Sequence, residues 1–206
     1  MKQFETVTFK GTAVHTNGVM PQKGEAAPDF TAVAGDLSEL SLGSLKGKRV
    51  VLNIFPSLDT SVCATSVRKF NVKVAHLENV QVLAVSMDLP FAQGRFCTTE
   101  GIENVKPVSL FRSKDFAGNY GLMMVDGPLA GLAARAVIVV DENGKVVARP
   151  RQRLLRVRRK ELLSHRTSSP PEIQSWLTRR LKTTFLFTFR NVALSICIIF
   201  HRRQRI

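Results

Sequence analysis

The sequence predicts an α/β protein with a central mixed sheet, flanking helices and a β-hairpin at the N-terminus. Three runs of strand length are almost entirely apolar, which is typical of strands covered on both faces; they are Val50–Phe55, Val80–Met87 and Ala136–Val140. Segments with a helical spacing of apolar residues alternate with these runs. Strands that alternate with helices favour a layered architecture with the sheet in the middle.

The first elements follow from local patterns. Residues 5–16 alternate polar and apolar side chains around Gly11, which predicts the N-terminal hairpin. The run Val50–Phe55 ends at Pro56, because a proline cannot donate a hydrogen bond to a continuing ladder. The segment Val62–Leu77 then places apolar residues at helical spacing and predicts the first helix.

The alternation continues after the second buried run. Short patterns predict a helix, a strand, a second helix, the third buried strand and a last strand beyond a turn. In chain order these are Phe91–Cys97, Val108–Phe111, Asp115–Tyr120, Ala136–Val140 and Lys145–Ala148. The turn before the last strand contains Asp141, Asn143 and Gly144, residue types that favour tight turns.

The charge of the chain divides near residue 150. The 206 residues have a net charge of +14. Residues 1–150 contain 16 Lys and Arg against 14 Asp and Glu, whereas residues 151–206 contain 14 against 2. A hydrophobic content of 44% excludes a wholly disordered chain. We therefore expect a folded domain at residues 1–148 and a basic tail at residues 149–206 that is poorly ordered or forms irregular helices.

The expected cellular compartment indicates whether the three cysteines are reactive or structural. The first ten residues include Glu5 and lack an apolar stretch of signal-peptide length, so we expect a cytoplasmic protein. Cysteines in a reducing compartment are more often reactive than structural. Cys63 lies just beyond a strand and at the start of a helix, where backbone N–H groups and the helix dipole favour a thiolate. An inert core cysteine is the alternative.

Several neighbours strengthen the case for reactivity at Cys63. Thr60 lies three residues upstream, where its hydroxyl either reaches the sulfur or caps the helix. Arg68 and Arg135 are both candidates for a guanidinium beside the thiolate, and a surface role for Arg135 stays open. Pro56 removes a backbone donor and shields the site from water.

No cofactor or metal is expected from the sequence. His15 and His76 have no Cys or carboxylate partners at the spacing of metal ligands. The glycines near residues 43–47 and 127–131 do not form a phosphate-binding pattern after a strand. A reactive cysteine therefore remains the main candidate for chemistry.

Three separated blocks of the sequence read VLNIFPSLDTSVCATSVRKFN, SMDLPFAQGRFC and DGPLAGLAARAVIVVDENGKV. Together they resemble the peroxiredoxins, and in particular the bacterial thiol peroxidases of the atypical two-cysteine branch. The first contains a proline and a threonine at the spacing that the peroxidatic motif of the family has before its cysteine. The resemblance runs from about Val7 to Val147.

The resemblance implies a thioredoxin-like fold and a thiol-dependent peroxidase that reduces hydrogen peroxide and organic hydroperoxides. It implies that Cys63 is the peroxidatic cysteine and Cys97 the resolving cysteine, which together form an intrachain disulfide. Thr60 and Arg135 would hold and polarise the peroxide, and Pro56 would shield it. Thioredoxin is the implied reductant, and a homodimer packed near the active-site loops is the implied assembly.

A thioredoxin-like thiol-disulfide oxidoreductase is the alternative function, although the chain has no Cys-x-x-Cys pair. The resemblance stops at about Arg149, where the charge also changes. A shift of reading frame in the gene is the simplest single cause of both changes, and it would leave a catalytically impaired product. A functional extension or a fusion would also produce them.

The tail offers two further interpretations. Residues 151–160 are rich in Arg, which favours polyanions, but no nucleic-acid-binding motif accompanies them. Residues 183–200 are mostly apolar and reach the lower length limit of a membrane span, but Arg190 stands near their centre. We therefore expect neither specific nucleic-acid binding nor a firm membrane span.

Overall fold

The computed structural model describes residues 4–9 and 11–149 of the chain. Nine strands lie in this part: β1 Thr6–Phe9, β2 Thr12–His15, β3 Thr31–Ala34, β4 Glu39–Ser41, β5 Arg49–Ile54, β6 Val80–Ser86, β7 Val105–Ser109, β8 Ala136–Val140 and β9 Val146–Ala148. Three α-helices accompany them: α1 Ser61–Val74, α2 Pro90–Glu100 and α3 Lys114–Asn119. A short 3-10 helix covers Gly43–Leu45.

Seven of these strands form one mixed sheet, in the order β4-β3-β7-β6-β5-β8-β9. Strands β5, β6 and β7 are parallel to one another, and β8 is antiparallel to β5. The remaining strands, β1 and β2, form a separate antiparallel hairpin. The predicted mixed sheet and N-terminal hairpin are confirmed.

The central strands are buried on both faces, which explains why their sequences are continuous apolar runs. Alternate side chains of a strand point to opposite faces of the sheet. Leu52 belongs to the core cluster that also contains Phe116 of α3. Asn53, on the opposite face, accepts a hydrogen bond from Ser66 of α1 at 3.1 Å. Helices α1 and α3 therefore cover different faces, as the sequence predicts.

Two short strands were not predicted. Strands β3 and β4 contain four and three residues, too few for a period of two to be recognised in the sequence. They pair with each other, and β3 also pairs with β7. The predicted strand at Val108–Phe111 is displaced, since β7 begins at Val105 and pairs with β6 along Val82–Ser86.

The second helix is longer than its pattern indicates. It begins at Pro90, at a first-turn position that suits proline, and ends at Glu100 before Gly101 in the left-handed conformation. Within residues 4–9 and 11–149, no helix is long and apolar enough to cross a membrane. The expectations for the tail, including those for residues 151–160 and 183–200, lie outside the described residues.

Candidate active site

The end of β5 and the start of α1 position the Cys63 thiol. After Ile54, the buried residues Phe55 and Pro56 lead into a short turn, and α1 begins at Ser61. Cys63 is in the first turn of this 14-residue helix and is fully buried. Its sulfur thus lies where the helix dipole favours negative charge.

Thr60 directs its hydroxyl at this sulfur. It occupies the N-cap position of α1 in an extended conformation, yet its side chain makes no capping hydrogen bond. The Oγ1 atom lies 2.7 Å from Sγ of Cys63 and 3.1 Å from the carbonyl oxygen of Ser57. A hydroxyl has one proton to donate, so Thr60 donates to one of these two acceptors at a time. Of the two roles predicted for Thr60, the structure favours contact with the sulfur.

Arg135 approaches the sulfur from the neighbouring strand. Ile54 at the end of β5 pairs with Ala136 at the start of antiparallel β8. This register places Arg135, the residue before β8, beside the chain as it leaves β5. Its Nη2 atom donates a hydrogen bond to Sγ of Cys63 at 3.2 Å.

Arg68, the other candidate cation, is engaged elsewhere. Its Nε and Nη2 atoms donate to the two carboxylate oxygens of Glu100 at 2.7 and 2.6 Å. This contact lowers the pKa of Glu100 and raises that of Arg68. The structure therefore brings Arg135 to the sulfur, and Arg68 instead joins α1 to α2.

Cys97 lies on α2 and is half-buried, and its thiol and that of Cys63 are both free. Burial raises the pKa of the Cys97 thiol, because desolvation disfavours the thiolate. The carbonyl oxygen of Cys97 accepts backbone N–H bonds from Gly101 and Ile102, which close the end of the helix. Cys97 is thus held in a completed helical turn.

A family model described as Redoxin matches residues 22–156 of the chain. The chain belongs to the redoxin family. The chain is 56% identical over 138 residues to a thiol peroxidase of Corynebacterium glutamicum, covering 67% of this chain and 83% of the relative. The prediction that the chain is a peroxiredoxin enzyme of the thiol peroxidase type is confirmed.

Solved structures agree with the fold of this peroxiredoxin. A peroxiredoxin-like protein from Aquifex aeolicus is 43% identical, with a TM-score of 0.67 over 71% of this chain and 85% of that one. A thiol peroxidase from Chromobacterium violaceum is 21% identical, with a TM-score of 0.63 over 70% and 83% of the two chains. The thioredoxin-like fold class is therefore confirmed as well.

A polar network next to the peroxiredoxin site was not predicted from the sequence. The Oδ2 atom of Asp88 accepts a hydrogen bond from the backbone N–H of Leu58 at 2.7 Å and one from Ser86 at 2.8 Å. The sequence contained a signal for it. Leu58 and Asp88 follow β5 and β6, and the carboxyl ends of adjacent parallel strands meet at one edge of a sheet.

No group of His, Cys, Asp and Glu side chains suited to a metal ion occurs in the part of the chain that the structure describes. Cys63, Thr60 and Arg135 are brought together in the described structure, and Pro56 is buried between β5 and the turn that carries Thr60. Cys97 stands on a different helix and is not bonded to Cys63.

Proposed function

We propose that this peroxiredoxin reduces hydrogen peroxide and organic hydroperoxides with Cys63 as the attacking thiol. The observation that carries the proposal is the pair of hydrogen-bond donors on one sulfur, from Thr60 at 2.7 Å and from Arg135 at 3.2 Å. Both donors favour the thiolate over the thiol, and the thiolate is the nucleophilic form.

The same donors suit the peroxide step. The Cys63 thiolate attacks the terminal oxygen of the hydroperoxide, an S–O bond forms and the O–O bond breaks. The leaving alkoxide or hydroxide takes up a proton from solvent, and the products are a sulfenic acid and an alcohol or water. Thr60 and Arg135 donate to the oxygens as negative charge moves onto them, which lowers the barrier. Pro56, buried where the chain leaves β5, keeps water from the reacting atoms.

We assign the resolving step to Cys97. Its thiol attacks the sulfenic sulfur, so that an intrachain disulfide forms and water leaves. Both thiols are free in the described conformation, and Cys97 is fixed in the last turns of α2. A disulfide requires Cα atoms within roughly 7 Å, and the two cysteines stand on separate helices, so we infer that part of α2 unwinds for this step. Thioredoxin, a dithiol protein, then reduces the disulfide and returns both thiols.

We further propose a homodimer that packs near the active-site loops, in the cytoplasm. Three large apolar side chains at this end of the sheet are exposed: Val62 by 55%, Leu89 by 51% and Phe91 by 71%. Val62 adjoins Cys63, and Leu89 adjoins Asp88, whose carboxylate binds the turn at Leu58. Exposed apolar side chains of this size at one end of the sheet favour a protein partner over solvent.

Two cysteine variants test the proposal, both made in a Cys197→Ala background so that each variant retains only one of the chain's three thiols. Cys63→Ser should abolish peroxide consumption. Cys97→Ser should consume one equivalent of peroxide and then stop in the presence of thioredoxin and its reductase. Peptide mapping of the unsubstituted chain after one equivalent of peroxide should find Cys63 joined to Cys97.

Two results would contradict the assignment. One is steady peroxide turnover by Cys63→Ser, and the other is a main product that joins Cys63 to Cys197. A thiol-disulfide oxidoreductase would instead reduce a protein disulfide such as that of insulin and leave peroxide unchanged.

A further inference from the structure

Three polar residues at the ends of β6 and β7 and on α2 have no exposed surface: Ser86, Ser109 and Gln93. Burial of polar groups is unfavourable unless they are hydrogen-bonded. Ser86 donates to the carboxylate of Asp88 at 2.8 Å, and Ser109 donates to the Asp88 carbonyl oxygen at 2.6 Å. Gln93 donates to Ser86 Oγ at 3.0 Å and to the Val108 carbonyl oxygen at 3.0 Å. The buried network therefore centres on Asp88.

The outer side of this network holds the turn that carries Thr60. The Asp88 carboxylate accepts the Leu58 backbone N–H at 2.7 Å, across 30 positions of sequence. The other described hydrogen bonds of the turn are local. They join Thr60 and Asp59 to Ser57, Thr60 to Cys63, and the Ala64 N–H to the Thr60 carbonyl oxygen. Leu58 N–H thus provides a fixed point that ties the turn to the sheet.

We propose that Asp88 is a positioning residue for the peroxide step, acting through Leu58 on Thr60. The inference rests on the proposed role of Cys63. A carboxylate accepts several hydrogen bonds at once, so Asp88 holds Leu58 and Ser86 together with no intervening flexible group. Leu58 is two residues before Thr60, and a turn fixed at Leu58 holds the Thr60 hydroxyl toward the sulfur. Without Asp88, the hydroxyl spends less time there, and the local bond to Ser57 competes.

The test compares Asp88→Ala with Asp59→Ala, a matched control in the same turn whose carboxylate is exposed. Both variants carry Cys97→Ser, and rapid-quench trapping of the Cys63 sulfenic acid gives the rate of reaction with hydrogen peroxide. Asp88→Ala should be slower by about tenfold, the effect of losing one hydrogen bond to a charged group. Asp59→Ala should match the parent within about twofold.

A double-mutant cycle with Thr60→Val separates positioning from a general loss of structure. If Asp88 acts through Thr60, Asp88→Ala should slow the Thr60→Val chain by less than about twofold. A full tenfold loss in that background, or a peroxide rate in Asp88→Ala equal to or above that of the parent, would overturn the inference. Peroxide consumption by Cys63→Ser at the parent rate would instead refute the proposed function itself.

A milder variant keeps the test decisive if the alanine chain does not fold. Asp88→Asn retains an oxygen acceptor for Leu58 but makes it neutral and weaker. Hydrogen exchange at the Leu58 amide should become faster, and the peroxide rate should fall by about threefold. Faster exchange at Leu58 with an unchanged peroxide rate would also overturn the positioning role.

Discussion

The Nη2 atom of Arg135 lies 3.2 Å from the sulfur of Cys63, although 72 positions separate the two residues in the sequence. Antiparallel pairing of β5 with β8 produces this contact, because it sets the start of β8 beside the end of β5. The two strands are fully buried over most of their length, so their register is fixed by core packing. The guanidinium is therefore held at the sulfur before any substrate arrives.

Arg135→Met should lower the rate of Cys63 oxidation by peroxide by about 100-fold, the usual cost of removing one donor to a developing anion. It should also slow alkylation of Cys63 by iodoacetamide at neutral pH, because the thiolate loses a cationic partner. Rapid-quench oxidation and alkylation rates check both effects. Arg68→Met is the control and should leave both rates near those of the parent. A larger effect of Arg68→Met than of Arg135→Met would reverse the assignment.

Thr60→Val removes the hydroxyl that lies 2.7 Å from the sulfur and keeps the β-branched shape. We expect the peroxide rate to fall by about tenfold or more, as for loss of one hydrogen bond to a charged group. Thr60→Ser keeps the donor and should recover most of the rate. The thermal unfolding midpoint should change little, since the Thr60 side chain is exposed and does not cap α1. Equal rates in Thr60→Val and Thr60→Ser would contradict a role for the hydroxyl.

Local patterns in the sequence were sufficient to find the core of this site, because Thr60 is three residues from Cys63 and both lie at a strand-to-helix junction. They could not decide between the two arginines. Arg68 is five residues beyond Cys63, which on a helix of 3.6 residues per turn rotates it by about 140° away. The register between β5 and β8 decides for Arg135, and sequence alone does not reveal a register.

The Asp88 network was missed for a different reason. Asp88 follows the second buried strand, so parallel pairing of β5 and β6 places it near the turn at Leu58. The sequence does not show which backbone group, 30 positions away, its carboxylate binds. The strands β3 and β4 were missed because they are held by pairing with each other and with β7, and their own sequences are too short to show a period.

Glu100→Gln should accelerate disulfide formation without changing the peroxide step. The Arg68–Glu100 pair joins the last turn of α2 to α1, and Asn71 reinforces the contact by donating to Gly101 and accepting from Glu103 and Asn104. These bonds must loosen for Cys97 to move. The pair is exposed to solvent, so the rate of disulfide formation should rise by no more than about threefold. Single-turnover kinetics of water loss from the sulfenic acid, followed by mass spectrometry, measure it.

The lowered pKa of Glu100 sets the pH at which this effect holds. The pair is intact above the ordinary Glu value of 4.5 and is lost as the pH falls through the lowered pKa. Glu100→Gln and the parent should therefore differ at pH 7 and converge in acid. Asp115→Asn, at an acidic residue in the first turn of α3, is the matched control. Slower disulfide formation in Glu100→Gln would contradict the proposal that the Arg68–Glu100 pair restrains the last turn of α2.

Burial of Cys97 predicts a characteristic pH profile for its thiol. In the folded chain its pKa lies above the ordinary value of 9.0, because desolvation disfavours the thiolate. Because the pKa is raised on folding, the stability of the turn that buries Cys97 depends on pH. The folded turn is favoured below pH 9.0, and opening of α2 becomes easier as the pH rises from there through the raised pKa.

Alkylation by iodoacetamide in a Cys63→Ser, Cys197→Ala chain measures this effect. Cys97 of the native chain should react more slowly than Cys97 of the urea-unfolded chain, and the midpoint of its pH profile should lie at higher pH. Adding Glu100→Gln should bring the native profile toward the unfolded one, since it loosens the turn that buries the thiol. Native and unfolded profiles that coincide would show that Cys97 is already free to react, and the need for α2 to unwind before the disulfide forms would then be disproved.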